Sequence, residues 1–147
     1  MDFNTESLKD IKEEMAPFLD NNHQESGTYP DMALRVQWEN YFALEELDIC
    51  KTFTMRDDGK LVGYSIFIVS SHSHYQENIF ALNDVVYIDP ESRGSDTIDF
   101  FNYCETELLV AGAQVISYNM PTSDSMKRLM TAIGHEHVES TYMKRIG

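Results

Sequence analysis

The residues with the most chemical potential fall on one stretch, 84–99. The apolar run 79–88 carries a single carboxylate, Asp84, and empties into Asp-Pro-Glu-Ser-Arg-Gly-Ser-Asp (89–96) before a helical pattern begins. A strand that ends in a short loop and a helix start aims unpaired backbone N–H groups and a positive dipole end at that loop, which suits a phosphate. A carboxylate inside an apolar run is desolvated, and desolvation raises its proton affinity toward a range useful for moving protons. The plain alternative is a buried carboxylate bonded to a neighbouring strand. His72 and His74, with Glu77 nearby, share a face if their strand continues. A third ligand at zinc-like spacing is absent, so His74 reads better as a substrate contact or a loop cap than as a metal ligand.

Composition narrows the chemistry further. The chain has 147 residues, with 11 Lys+Arg against 25 Asp+Glu and a formal net charge of -14. Nucleic-acid affinity depends on cationic side chains displacing condensed counterions, so this balance argues against direct DNA or RNA binding and leaves a basic protein as a possible partner. The acids are spread over every segment, the pattern of a solvated surface. No apolar run reaches the roughly 20 residues that span a bilayer, and the N-terminus lacks the basic-then-apolar order of a secretory signal. No membrane association and a cytoplasmic location are therefore expected. Cys50 and Cys104 are far apart with no Cys-x-x-Cys motif, as for buried free thiols.

The elements that position these residues are legible from periodicity. Leu8, Ile11, Met15, Phe18 and Leu19 recur at helical spacing and stop near 21–27. Leu34, Trp38, Tyr41, Phe42 and Leu44 trace a second helix over about 32–47, beside Glu39, Glu45 and Glu46 read as exposed. Residues 49–55 and 61–69 flank Asp57-Asp58-Gly59-Lys60 as a hairpin, with Gly63 marking a bulge or a close backbone approach. A polar stretch, 70–78, precedes the strand 79–88, which is apolar on both faces as a covered central strand is. A helix carrying Ile98, Phe101, Cys104 and Leu108 then runs to Gly112. Strand 114–119, a short helix closed by Gly134, and a last strand over 138–146 complete the chain. The expectation is one domain, 1–147, of the α/β class.

Val86-Tyr87-Ile88-Asp89-Pro90-Glu91-Ser92-Arg93-Gly94, in this order of elements, resembles the acetyl-CoA loop of the GNAT superfamily of N-acetyltransferases. The resemblance covers roughly 39–146 in element order. The closing segment, 129–134 and then Tyr142-Met143-Lys144-Arg145-Ile146, resembles the GNAT proteins of tailed bacteriophages. So do His74-Tyr75, Asp84, Tyr87, Pro90, Arg93 and Gly94.

The resemblance implies a mixed, mostly antiparallel central sheet with helices on both faces. It also implies acetyl transfer from acetyl-CoA to an amine of a small molecule or a protein, within a host cytoplasm if the chain is phage-encoded. The cofactor would be held by the backbone of Ile88 and by Arg93, Gly94, Ser95, Asp96, Thr97 and Ile98. Asp84 would draw off the amine proton and His74 would touch the substrate. A tyrosine usual late in the last helix is replaced by Met130, leaving Tyr142 or Tyr118 for that place. Asp96 and Ile98 stand where the loop usually has glycines, so Asp96 has two readings: part of a pyrophosphate cradle, or an N-cap accepting from the amides of Ile98 and Asp99. The degenerate loop also fits a second function, a catalytically silent GNAT-fold module for binding, virion assembly or anti-defence.

Overall fold

A computed structural model describes residues Met1–Gly147. Five strands form one sheet in the order β1 (Asp2–Thr5), β2 (Cys50–Asp57), β3 (Lys60–His72), β4 (Tyr75–Ile88) and β5 (Val115–Ser117). The first four pair antiparallel, and β5 runs parallel to β4. Helices α1 (Leu8–Ser26) and α2 (Trp38–Glu46) cover one face. There Leu8, Ile11 and Met15 pack on Leu61, Tyr64 and Tyr87. Helix α3 (Ser95–Val110) covers the other, with Phe100, Cys104 and Leu108 buried against Phe53, Phe67 and Ala81. Helix α4 (Asp124–Ala132) follows β5. The expected mostly antiparallel sheet with helices on both faces is what forms. No helix is long and apolar enough to cross a membrane.

Local chemistry explains the joints. Asp58 and Gly59, both at positive φ (48° and 81°), make the two-residue turn between β2 and β3; paired left-handed residues match the twist of a hairpin. Glu45 is not the exposed acid expected: its carboxylate accepts from the Leu8 amide (3.0 Å) and Ser7 Oγ (2.5 Å), so α2 caps the start of α1.

Four boundaries depart from the sequence reading. Strand β1 was not foreseen; its four residues acquire strand character only by pairing with 53–56. Helix α2 starts at Trp38, not near Met32, because 32–37 is irregular and His23 Nε2 engages the Met32 carbonyl (3.0 Å). The polar stretch 70–78 is mostly strand, since β3 and β4 run on to meet at a turn over Ser73 and His74, beyond the helices that demand apolar faces. The final strand, 138–146, does not form. Val138, Tyr142 and Ile146 are 82%, 93% and 92% exposed, and Arg145 is held by Asp31 (2.5 Å) instead of by a strand ladder.

Two features carry stability predictions. Gly63 lies under β4, and a Cβ there would stand 3.1 Å from the Tyr87 carbonyl oxygen and 3.2 Å from Ile88 Cγ1. Gly63→Ala should cost about 1–3 kcal/mol through overpacking, read as a lower urea midpoint. Arg56 joins the Glu6 and Glu14 carboxylates at 2.9 Å each, tying β2 to α1 and to the link that follows β1. Hydrogen bonds from Arg56 hold both carboxyls below their usual 4.5. The stability they add is complete above that pH and is lost as pH falls through the lowered values. Arg56→Met should remove that acid-side slope and cost about 1–2 kcal/mol at neutral pH, allowing for solvent screening; melting temperature against pH reads both.

Candidate active site

The site begins where two strands part. β4 and β5 pair only over Phe80–Ala81–Leu82 against Val115–Ile116–Ser117. From Asn83 onward β4 has no neighbour on that edge, and the sheet opens as a fork. At the fork's apex β4 carries a bulge: Ile66 faces Val85 and Phe67 faces Asn83, so Asp84 is the extra residue. Asn83 anchors it, its side chain donating to Ser65 Oγ (3.0 Å) and to the Ile66 and Val85 carbonyls. Past the bulge, the Asp89 amide donates to the Val62 carbonyl (2.8 Å), so 85, 87 and 89 hydrogen-bond toward β3. By alternation Val86 and Ile88 direct their backbone groups into the fork. The Ile88 carbonyl is taken by Arg93 Nε (2.8 Å), which leaves the Ile88 N–H and both Val86 groups for an extended ligand with amides of its own.

Below the fork, Asp89 caps a 3-10 turn at Pro90–Ser92, and Arg93 and extended Gly94 lead into α3. The N-cap of α3 is Gly94, not Asp96. Thr97 Oγ1 accepts from the Gly94 amide (3.1 Å) and the Thr97 amide returns to the Gly94 carbonyl. Asp96 is the second residue of the helix, and its carboxylate accepts from none of the first-turn amides. The amides of Ser95 and Asp96 donate to no loop or cap acceptor, so they remain for an anion.

Arg93 offers less than expected. Its guanidinium makes a two-pronged pair with Glu25 of α1 (2.7 and 2.8 Å) and lies over Tyr87. The pairing holds Glu25 below the usual carboxylate range. The side chain therefore clamps the loop to α1, and its backbone is what it can contribute to a ligand. Ile98, 40% exposed, keeps an apolar side chain at the first turn.

On the α1–α2 face the bulge opens onto a cavity of about 240 Å³. Met15, Leu19, Leu34, Val36, Trp38 and Tyr41 are among its lining. Asp84 is exposed, not desolvated as the apolar run suggested. The bulge also turns it away from the face of Ile88, which packs in the α3 core. The Tyr41 hydroxyl donates to Asp84 Oδ2 (2.6 Å). Burial, then the Asp84 charge, push the Tyr41 phenol up, so it stays a proton donor and fixes one oxygen of the carboxylate.

Tyr118, the residue after β5, packs against Phe67 and Phe101, and its hydroxyl is buried without a partner. Burial pushes this phenol up too, so it keeps its proton and is able to donate it. Tyr142 stands on the exposed tail and makes no hydrogen bond or ring contact. His74 lies at the opposite end of β4 from the loop, ten residues before Asp84 or about 33 Å of strand, where its amide donates to His72 Nδ1. The fold thus gathers Asp84, Ile88 and residues 93–98, and leaves Tyr142 and His74 outside. Sequence reasoning missed Trp38 and Tyr41 as site residues because both sit on a helical stripe that reads as core. It missed Glu25 because nothing in an exposed acid signals its partner. Cys50 and Cys104 are buried free thiols, and burial raises Cys50 to about 11 and Cys104 further still, so neither supplies a thiolate nucleophile.

No family model matches the chain, and no curated protein matches it in sequence. Solved structures do match its fold. A ribosomal-protein-alanine N-acetyltransferase from Brucella melitensis biovar Abortus 2308 superposes with a TM-score of 0.72 at 20% identity, covering 99% of this chain and 100% of that one. Aminoglycoside N-acetyltransferase AAC(6')-Iy, solved in complex with CoA, gives 0.69 at 12% identity, with 99% of each chain covered. An aminoglycoside acetyltransferase from an uncultured soil metagenomic sample, solved with sisomicin, gives 0.74 at 11% identity, covering 99% and 96%. The fold is that of the GNAT N-acetyltransferases.

Proposed function

We propose that the protein transfers an acetyl group from acetyl-CoA to a primary amine. The observation that carries this reading is the position of Asp84. It is the bulged residue at the apex of the β4–β5 fork and at the same time a wall of the cavity on the α1–α2 face. One carboxylate therefore stands between a cleft suited to a thioester arm and a chamber suited to its acceptor.

The residues present fit the cofactor. The Ser95 and Asp96 amides at the start of α3 suit a diphosphate, and the unpaired edges of Val86 and Ile88 suit the amides of a pantetheine arm. Acetyl-CoA would supply an activated acyl group whose C–S bond breaks as the new C–N bond forms. Asp84 Oδ1, free while Tyr41 holds Oδ2, takes the proton the amine must shed. Attack is direct, since both cysteines are buried thiols. Tyr118, directly after β5 and with an unpartnered buried hydroxyl, is the better candidate than Tyr142, which stands on the exposed tail, for protonating the leaving thiolate. Acceptor identity, a host cytoplasm and a phage origin stay expectations of this reading.

Asp96 and the apolar Ile98 at the phosphate end favour a second reading, a GNAT-fold docking module for a basic protein. Incubation with acetyl-CoA and a panel of primary amines, following CoA release and the N-acetyl product by mass spectrometry, separates the two. Stoichiometric product and CoA support the transferase; CoA release no faster than spontaneous hydrolysis, with no N-acetyl product, supports the module.

A further inference from the structure

We propose that the acceptor is a compact monoamine with an apolar or aromatic body, seated in the α1–α2 cavity with its ammonium on Asp84; this rests on the transferase reading. Three observations carry it. The cavity holds about 240 Å³ and opens to solvent on one side, below the range of roughly 300–1,000 Å³ that takes drug-sized ligands, so it fits a compact body, and a multi-ring sugar would stand largely outside it. Its walls are mostly apolar side chains from α1, the 34–38 segment and the sheet.

Its polar groups are largely spent. His23 Nε2 is engaged with the Met32 carbonyl, Ser26 Oγ donates to Asn22, and the Tyr41 hydroxyl donates to Asp84. One carboxylate oxygen remains as the only free anionic group, which matches one cationic group, beside the Asn22 amide and Trp38 indole N–H donors. A polycation would need several acids on this wall, and although the chain carries a net charge of -14, none of its other acids lines the chamber. A body that fills the chamber with apolar surface gains about 25 cal/mol per Å² buried, whereas a heavily hydroxylated one has more donors and acceptors than Asp84, Asn22 and Trp38 can pair against these mostly apolar walls.

The sole tryptophan, Trp38, is part of the wall and gives a readout that needs neither acetyl-CoA nor turnover. Titrating the intact protein with 2-phenylethylamine should give a saturable change in Trp38 emission. Its apparent Kd should be at least about tenfold lower than that for 2-phenylethanol, sisomicin or an alanine-initiated tetrapeptide. Asp84→Asn should erase the preference of amine over alcohol, and Val36→Phe, which fills the chamber, should abolish the response to both. Tighter binding of sisomicin or the peptide, or an amine preference that survives Asp84→Asn, overturns the proposal. If 2-phenylethylamine binds as described yet no amine is acetylated, the cavity assignment stands and the transferase reading falls. Acetylation of sisomicin without 2-phenylethylamine binding gives the reverse.

Discussion

Asp84→Asn should lower kcat/KM for amine acetylation by about 100-fold or more, the usual worth of a positioned base, or about 3 kcal/mol of transition-state stabilisation. The substitution keeps the shape of the side chain and the acceptor for the Tyr41 hydroxyl, so the fold has no reason to move. The side chain is exposed at the bulge, and the bulge itself is held by Asn83, Ser65 and backbone carbonyls. Acetyl-CoA affinity and melting temperature should therefore match the parent protein, and the whole effect should fall on the amine-dependent step. Steady-state kinetics together with a thermal melt check this. A loss confined to stability would mean that Asp84 is a structural acid, and an unchanged kcat/KM would place the base elsewhere.

Asp96→Asn should tighten acetyl-CoA binding by about tenfold. A carboxylate about 6 Å from a diphosphate charge costs roughly 3 kcal/mol at an effective dielectric near 20. Asp96 is only half-buried, so solvent screening trims this to about half, or one decade in Kd. The same residue helps the empty protein, because an acid in the first turn of α3 complements the helix dipole by about 0.5 kcal/mol. The variant should thus melt slightly lower alone and gain more from ligand.

Salt provides an independent check on the same electrostatics. Asp89, Glu91, Asp96 and Asp99 surround the loop, and its one cation, Arg93, is already paired with Glu25. The wild-type Kd for acetyl-CoA should fall as ionic strength rises and screens the repulsion. That trend is the opposite of a basic phosphate site, and it should flatten in the Asp96 variant.

How far the sequence reached is set by where information is local. The Asp58-Gly59 turn and the stripe from Phe101 to Leu108 are written in residue type and spacing, and they form as read; the strand around Ala81 forms too, but it is not covered on both faces, since Leu82 is 46% exposed. The β1 strand, the extension of β3 to His72 and the loss of the final strand depend on pairing partners, which periodicity does not see. The bulge at Asp84 shows the limit most sharply. One extra residue turned the carboxylate from the α3 face to the α1–α2 face and from an apolar setting to a cavity wall. The residue type gave the chemistry, but the register gave its direction. Likewise, Arg93 and Glu25 are 68 positions apart, and only the folded chain reveals that the loop's cation is spent as a clamp.

Calorimetric titration of the wild-type protein with acetyl-CoA, at moderate salt, tests most directly whether the opening between β4 and β5 is a thioester cleft. One site with a Kd tighter than about 1 mM, or roughly -4 kcal/mol, is expected, with weaker binding in Ser95→Glu, which places a carboxylate beside the vacant amides. No heat at millimolar acetyl-CoA, in either the parent protein or Asp96→Asn, would contradict it.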